Sequence, residues 1–197
     1  CVHPAVSYQQ ILGMGGALTE AAAHTYAQMS AEKQQQLLAL YFGDGNDYNF
    51  CRLHIQSCDF ALGNYAYVED AQDRELNSFS IERDRKYIIP FVKAALEKNA
   101  KIQFLASPWS PPAFMKTNGE MNHGGKLKQT YYQMWADMVA RYVSAYRDEG
   151  IPIQRLTVQN EPAAVQTWDS CIFSGAEEAE FACRYLRPAL DKAQHGE

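Results

Sequence analysis

A parallel α/β sheet is the fold class that this sequence of 197 residues predicts. Strand-like and helix-like stretches alternate along the chain, with one such unit in roughly 50 residues. Each strand-like stretch is followed by a polar loop, and the helical stretches carry apolar stripes at the spacing of one helix face. Because helices are the usual connections between parallel strands, this alternation indicates a parallel sheet.

The composition is that of a globular protein and excludes several other classes. Hydrophobic residues make up 47% of the chain and aromatic residues 12%, which separates it from disordered proteins. The formal net charge of −5 comes without a long basic block, so we expect no nucleic-acid partner. No apolar run of about 18 residues occurs, so we expect no membrane span. Nothing in the sequence indicates the oligomeric state, and no cofactor is expected.

The first unit is predicted to contain a strand at Gln10–Met14 and two helices. Gly15 and Gly16 close the strand, where they allow a sharp turn or a close backbone approach. An Ala-rich helix follows over Thr19–Met29. Ser30 then provides the N-cap of a second helix.

The second and third units repeat the order of strand and helix. A strand is predicted at Asn49–Ile55, and a helix follows the loop from Ser80 to about Asn99. Pro90 lies inside this helical pattern and predicts either a kink or a helix that restarts. The third strand is predicted at Ile102–Ala106.

The strongest helical stripe of the chain precedes the fourth strand. Gly150 ends the helix, and a buried strand is predicted at Arg155–Gln159. Ser174 and Glu177 have the spacing of a capping box, which opens a helix towards Ala193. The stripe comprises Tyr131, Met134, Trp135, Met138, Val139, Tyr142, Ala145 and Tyr146.

The loops distinguish a barrel from a doubly wound sheet. Every residue with candidate chemistry lies at the carboxyl end of a strand, which is typical of a (β/α)8 TIM barrel. Gly13–Gly16 lacks the spacing of a phosphate-binding turn, which a doubly wound nucleotide binder would show. We interpret residues 1–197 as a truncated catalytic domain with about the first four βα units. The chain begins with Cys1 and stops in a helical pattern at Gln194–Glu197, so we expect the later strands in a longer protein.

The stretch Leu156–Pro162 carries the principal catalytic candidate. Pro162 biases Glu161 away from helical dihedral angles at the end of the strand. A carboxyl group placed there could protonate a glycosidic oxygen, provided that a low dielectric or a neighbouring carboxylate keeps it protonated. Asn160 could donate to a sugar hydroxyl or stabilise the turn. A strand followed by an ordinary X-Pro turn is the alternative for the whole stretch.

The second and third strands carry further candidates. Arg52 and His54 alternate onto one strand face, where Arg52 needs a carboxylate partner. That arginine could orient a catalytic carboxylate or form a purely structural ion pair. His54 is interpreted as a satisfied core residue, with catalysis as the alternative. Trp109 follows the third strand in a proline-rich loop, where its indole could stack on a sugar or pack into the core.

Other polar and aromatic residues have two readings each. Glu20, just after the first strand, could bind sugar hydroxyls or occupy the first turn of a helix, where acids are favoured. Trp168, Tyr65 and Tyr67 could line outer sugar subsites, with loop packing as the alternative.

Neither the acidic residues nor the cysteines predict a metal site. Asp44, Asn46 and Asp47 lie close together, but their spacing does not match a calcium loop. The cysteines contain no Cys-x-x-Cys pair, and their odd number slightly favours a reducing cytoplasmic compartment over secretion. They are Cys1, Cys51, Cys58, Cys171 and Cys183.

Several segments, in order along nearly the whole chain, resemble glycoside hydrolase family 30, the family of acid β-glucosylceramidase. Each segment alone is moderately specific, and together they are highly specific. They are Gly13–Ala23, Tyr48–Arg52, Ser57–Phe60, Leu105–Pro111, Lys116–Gly119 and Thr157–Pro162.

The resemblance implies a (β/α)8 barrel with a flanking β-domain, which hydrolyses β-glycosides such as glucosylceramide with retention of configuration. Glu161 matches the family's acid/base and Asn160 its ligand of the sugar 2-hydroxyl. Trp109 and Glu20 match sugar-binding positions, and we add Arg52 as a substrate-binding candidate. Glu20 replaces the Asp of human lysosomal relatives, so the exact sugar stays open.

The resemblance places the family's nucleophile, a Glu, on the seventh strand, and no residue of this chain matches it. Retention needs two carboxyl groups about 5–5.5 Å apart, so this chain alone is expected to be inactive. Two alternatives remain for the substrate and the activity. One is the same mechanism on β-1,6-glucan, a β-xyloside or a β-fucoside, and the other is a non-catalytic sugar-binding protein.

Overall fold

A three-stranded parallel sheet forms the centre of the computed structural model, which describes residues 3–43 and 45–194. Its order is β1 (Phe50–Ile55), β2 (Gln103–Pro108) and β3 (Ile153–Leu156). Helices connect the strands, which confirms the parallel α/β class. They are α1 (Glu20–Ala27), α2 (Ala31–Phe42), α3 (Glu82–Lys86), α4 (Ile88–Lys98), α5 (Tyr132–Asp148), α6 (Gly175–Phe181) and α7 (Arg187–Gln194), with 3-10 turns at Ala113–Met115 and Gln129–Tyr131 and a π-helical segment at Ala182–Leu186 between α6 and α7.

The first predicted strand, Gln10–Met14, is wrong, because these mostly exposed residues form no strand. The Met14 carbonyl accepts from the amides of Asn49 and Phe50 at 2.9 and 3.2 Å, and Ala17 forms a single parallel bridge with Arg52. Gly15 brings the chain so close to β1 that an added Cβ would lie 1.9 Å from the carbonyl oxygen of Phe50. An irregular segment therefore takes the place of the first strand beside β1.

The last strand is displaced from its predicted position, whereas β1 and β2 agree closely with theirs. β3 covers Ile153–Leu156 instead of Arg155–Gln159. Within the described sheet β3 lies at the edge, with a partner on one side only, so its residues are exposed or half-buried and not buried. Beyond the regular strand, the Asn160 amide still donates to the Pro108 carbonyl at 2.8 Å.

The starts of α2 and α6 follow the capping signals of the sequence. The Ser30 hydroxyl accepts from the Lys33 amide at the start of α2, and Ser174 forms the predicted capping box with Glu177. The helix predicted across Pro90 restarts: it breaks at Tyr87, and Pro90 is the third residue of α4. In this first turn proline's missing amide hydrogen removes no helical hydrogen bond.

The core between sheet and helices contains a buried carboxylate surrounded by tyrosines. Asp84 of α3 accepts hydrogen bonds from the hydroxyls of Tyr65, Tyr67 and Tyr146 at 2.8, 2.7 and 2.9 Å. Burial raises the pKa of Asp84 above its ordinary value. Tyr65 and Tyr67 are therefore packing residues of the loop after β1, and their hydroxyl groups do not line an outer subsite.

Two further observations concern the described part of the chain. No helix in residues 3–43 and 45–194 combines the length and apolar character needed to cross a bilayer. Cys51, Cys58, Cys171 and Cys183 carry free thiols. Cys1, Asp44 and residues 195–197 lie outside the described residues.

Candidate functional site

The side chain of Arg52 extends from the middle of β1 to the carboxyl ends of β2 and β3. From β1, its Nε donates to Ser107 Oγ on β2 at 3.0 Å, and its Nη2 donates to Asn160 Oδ1 after β3 at 2.8 Å. The guanidinium carbon lies 4.6 Å from the ring centroid of Trp109, within the range of a cation–π contact. The structure thus brings together three of the residues selected from the sequence.

The partners of Arg52 are neutral oxygens, which differs from the predicted carboxylate partner. Among residues 3–43 and 45–194, no carboxylate oxygen lies within 4.0 Å of the guanidinium nitrogens. Burial lowers the pKa of Arg52, while the nearby ionisable groups of Cys58, Asp59 and Glu161 act to raise it. Arginine stays protonated in proteins, so a half-buried positive charge lies beside the Glu161 turn.

The contact with Arg52 fixes the orientation of the Asn160 amide. Because Oδ1 accepts from the guanidinium, the opposite face of the amide presents the two hydrogens of Nδ2. Asn160 is half-buried, and its backbone amide is bonded to Pro108. The side chain is therefore held as a hydrogen-bond donor at the end of the sheet.

Glu161 lies in a tight turn directly after Asn160. Its φ of +46° is in the left-handed region, which non-glycine residues adopt at a cost, and its carbonyl accepts from the Ala164 amide at 2.9 Å. The residue is exposed, and within the described part of the chain its carboxylate accepts no hydrogen bond. The acidic group is thus available to solvent or a ligand.

Glu20 has different surroundings. It is the first residue of α1 and is 2% exposed. Its carboxylate accepts from Arg83 Nε at 2.8 Å and from the Leu62 amide at 2.7 Å. Burial would raise the pKa of Glu20, but the hydrogen bonds from Arg83 and Leu62 outweigh it and hold the pKa below its ordinary value. Direct sugar binding by Glu20 stays a prediction.

His54 is buried and uses both ring nitrogens. Nε2 lies 3.0 Å from the backbone amide of Glu20, so it must be the acceptor. Nδ1 lies 2.5 Å from the Gln56 carbonyl and must carry the hydrogen. These two bonds require the neutral Nδ1–H tautomer, which agrees with the interpretation of a satisfied core histidine.

Two buried glutamines, which sequence reasoning missed as site residues, hold the loop of Trp109. Gln56 Nε2 donates to the Ser110 carbonyl at 2.9 Å, and Gln159 Nε2 donates to the Trp109 carbonyl at 2.6 Å. Both glutamines follow strand ends, which is the signal that could have indicated them. Asp59, another missed residue, is exposed after β1 and close enough to Arg52 to affect its pKa.

A buried lysine ties the outer loops together. Lys116 Nζ donates to the carbonyls of Met121 and Ser170 at 2.9 and 2.5 Å. Burial lowers the pKa of Lys116 to about 8. Trp168 lies in the same loop region and is 39% exposed, so its role as an outer subsite stays a prediction. In the residues described, no three His, Cys, Asp or Glu side chains are grouped as metal ligands require.

Comparison with known proteins gives consistent matches. A model of the glycosyl hydrolase family 30 TIM-barrel domain matches residues 11–197. The mouse lysosomal acid glucosylceramidase is 34% identical, over 98% of this chain and 40% of its own length. The crystal structure of SrfJ from Salmonella typhimurium is 49% identical with a TM-score of 0.91, and covers 95% of this chain and 42% of that one.

A third match extends the range of substrates among the relatives. The endo-β1,6-glucanase BT3312 is 28% identical with a TM-score of 0.89, over 98% of this chain and 44% of that structure. This chain thus spans about two fifths of the length of these relatives. Trp109 and Asn160 follow the carboxyl ends of parallel strands and both contact Arg52 of β1, which agrees with the architecture of the matched domain. The chain belongs to glycosyl hydrolase family 30, and it corresponds to part of that family's TIM-barrel domain.

Proposed function

We propose that this chain supplies the acid/base half of a retaining β-glycosidase. The observation that carries the proposal is the contact of Arg52 with both Trp109 and Asn160, directly beside the exposed carboxylate of Glu161. An aromatic face, an amide donor and a carboxyl group are the groups that bind a sugar and protonate its leaving oxygen. Membership of family 30 supports this reading.

Glu161 would act first as an acid and then as a base. It would give its proton to the glycosidic oxygen while that oxygen leaves the anomeric carbon, and a nucleophilic carboxylate would form the bond to the sugar. Glu161 would then take a proton from the water that releases the sugar. The nucleophile is not assigned to any residue of this chain.

The other residues have binding roles in the proposal. Trp109 would stack on the apolar face of the sugar, and Asn160 would donate from Nδ2 to a hydroxyl. Arg52 supports both through its cation–π contact and its hydrogen bond. Glu20 stays a candidate for the sugar end, although its carboxylate is bonded to Arg83 and Leu62.

We propose β-glucosides such as glucosylceramide as the substrate class, because the mouse relative is named a glucosylceramidase at 34% identity. A second candidate is β-1,6-glucan, since the structural relative BT3312 is named an endo-β1,6-glucanase. β-Xylosides, β-fucosides and non-catalytic sugar binding are the remaining alternatives. A reducing, cytoplasmic location also stays a prediction.

The test uses the parent protein, by which we mean the product of the longest reading frame that contains this chain. Hydrolysis of 4-nitrophenyl β-glucoside, β-xyloside and β-fucoside and of β-1,6-glucan is measured, and NMR identifies the anomer released first. We expect β-glucoside hydrolysis that releases the β-anomer first. Release of the α-anomer first would contradict the retaining mechanism. Sugar binding without hydrolysis of any substrate would contradict the proposal that the parent protein is an enzyme.

A further inference from the structure

The amide of Gln159 forms a bridge between the two loops that carry the site. Its Nε2 donates to the Trp109 carbonyl at 2.6 Å and to the Asn160 carbonyl at 2.9 Å. The residue is 4% exposed. One side chain thus uses both of its hydrogens to connect the segment of the indole with the segment of Glu161.

The two carbonyls that Gln159 binds belong to the peptide before Glu161 and the peptide after Trp109. The Asn160 carbonyl is part of the peptide that joins Asn160 to Glu161, so its orientation limits the direction in which the Glu161 side chain leaves the chain. The Trp109 carbonyl similarly belongs to the peptide between Trp109 and Ser110. Because Glu161 has a left-handed φ of +46°, its peptide needs such an external restraint.

The oxygen of the Gln159 amide lacks a hydrogen bond within the described part of the chain. Gln159 Oε1 is buried and has no hydrogen-bond partner among the described residues. A buried acceptor without a partner lowers stability, and an apolar side chain of the same size would not contain such an acceptor. Rotating the amide would point Oε1 at two carbonyl oxygens, so the orientation is determined. The side chain therefore gives its two hydrogens to the carbonyls of Trp109 and Asn160 and leaves its own oxygen unpaired within the residues described.

We propose that Gln159 is a positioning residue, which sets the orientation of the Glu161 carboxyl group relative to the Trp109 indole. The inference rests on the proposed function. When both donors are removed, the peptide before Glu161 can rotate, and the acid no longer lies in line with the glycosidic oxygen. A displacement of about 1 Å at a reacting group can lower a rate by roughly a hundredfold.

Gln56 provides a matched comparison. It is also a buried glutamine, and its Nε2 binds the same loop through the Ser110 carbonyl at 2.9 Å, while its Oε1 accepts from the Tyr67 amide in the loop after β1. Its hydrogen bonds do not include the Asn160 carbonyl. A change at Gln56 therefore loosens the loop of Trp109 and leaves the restraint on the Glu161 peptide in place.

The experiment compares kcat/KM of Gln159→Met and Gln56→Met in the parent protein on aryl β-glucosides. Methionine has nearly the volume of glutamine and adds no charge, but it cannot donate. For Gln159→Met we expect a loss of roughly tenfold to a hundredfold with phenyl β-glucoside, a poor leaving group that needs the acid. With 2,4-dinitrophenyl β-glucoside, which leaves without protonation, we expect a loss of less than about threefold.

Gln56→Met should lower kcat/KM by a similar factor on both substrates, because it does not misplace the acid. Thermal unfolding shows whether each variant is folded. Should Gln159→Met not fold, Gln159→Asn replaces it, because the shorter amide cannot reach both carbonyls and predicts the same dependence on the leaving group. Equal losses of Gln159→Met or Gln159→Asn on both substrates, or none, would overturn the inference while the wild type remains active. If the wild type is active on another glycoside of the substrate panel only, the phenyl and 2,4-dinitrophenyl forms of that sugar replace the glucosides. A wild type that hydrolyses no glycoside of the panel would overturn the proposed function, and this inference with it.

Discussion

Glu20 and Glu161 both follow a segment of the sheet, yet their surroundings are opposite. Glu20 is 2% exposed, and its carboxylate is bonded to a guanidinium and a backbone amide. Glu161 is exposed, and its carboxylate accepts no hydrogen bond in the described part of the chain. A carboxylate whose oxygens are hydrogen-bonded within the protein stabilises the fold. A carboxylate that is exposed to solvent can instead contact a substrate. The comparison predicts that replacing Glu161 affects activity and replacing Glu20 affects mainly stability.

The largest effect is expected for Glu161→Gln in the parent protein. The amide cannot donate a proton to a leaving oxygen, so kcat/KM on phenyl β-glucoside should fall by roughly a hundredfold to ten-thousandfold. The rate of glycosyl-enzyme formation from 2,4-dinitrophenyl β-glucoside should be unchanged, because this leaving group departs without protonation. Because Glu161 is exposed, the free energy of unfolding should change by less than about 0.5 kcal/mol.

Glu69→Gln provides the control for this prediction, since Glu69 is an exposed loop carboxylate. It should have normal kinetics on both glucosides. Equal activity of Glu161→Gln and wild type on the phenyl substrate would reject Glu161 as the acid.

The next effect is expected for Arg52→Lys, which keeps the charge but loses the planar fork. Lysine cannot reproduce the contacts with Ser107, Asn160 and the indole at once. Loss of one charge-assisted hydrogen bond, about 1.5–3 kcal/mol, corresponds to a fall in kcat/KM of roughly tenfold to a hundredfold. Steady-state kinetics with phenyl β-glucoside measure this change.

Arg155→Lys is the matched control for Arg52→Lys. Arg155 lies on β3 and donates to Gln103 Oε1, apart from the Arg52 cluster. We expect kinetics within about twofold of wild type, because its contacts do not reach the site. A similar loss in both variants would mean that Arg52 contributes only general support to the sheet.

A smaller effect, in stability, is expected for Glu20→Gln. The substitution leaves Arg83, whose side chain is 37% exposed, without its anionic partner. We expect the free energy of unfolding to fall by about 1–3 kcal/mol, below the loss for a fully buried pair because solvent screens the arginine. Urea denaturation measures the change, with Glu32→Gln in the first turn of α2 as the control. An increase in KM without loss of stability would instead support direct sugar binding by Glu20.

The smallest expected effect is the pH dependence of that stability difference. The folded-state pKa of Glu20 lies below its ordinary value of 4.5, since bonds to Arg83 and Leu62 outweigh the effect of burial. The ionised carboxylate therefore contributes stability above pH 4.5, and this contribution is lost as the pH falls through the folded-state pKa. The difference between wild type and Glu20→Gln should be constant near neutrality and decrease in acid. Denaturation curves at several pH values test this, and a difference that grows in acid would contradict it.

The sequence predicts what depends on local signals. Ser30 and Ser174 cap their helices as expected. Six of the eight residues of the predicted stripe are buried in α5, whereas Tyr131 precedes the helix and Ala145 is half-buried. The first strand was misplaced, because apolar residues near Gln10–Met14 suggested a strand, whereas the place beside β1 is set by the close approach of Gly15 to Phe50. This approach depends on tertiary contacts that a short window of sequence does not contain.

The sequence predicts which residues form the candidate site but not the hydrogen bonds between them. The sequence indicates Arg52 as a cation within a strand and Trp109 and Asn160 as residues at strand ends, and the structure brings the three together. The neutral partners of Arg52 could not be predicted, because burial of an arginine suggests a carboxylate while the actual acceptors come from residues 55 and 108 positions away. Likewise, no local pattern distinguishes Gln159, whose amide bridges two loops, from an ordinary polar residue.

The tyrosine cluster around Asp84 has a consequence for sequence change in this protein. A single acceptor connects the loop after β1, α3 and α5 through three hydroxyls. Once Asp84 is replaced, the three hydroxyls have already lost their acceptor. Exchanging one of the tyrosines for phenylalanine then removes no further hydrogen bond, so the effects of the two substitutions on stability will not add. These four positions should therefore show strong epistasis. Replacing the four residues together by apolar ones should lower stability less than the sum of the single replacements.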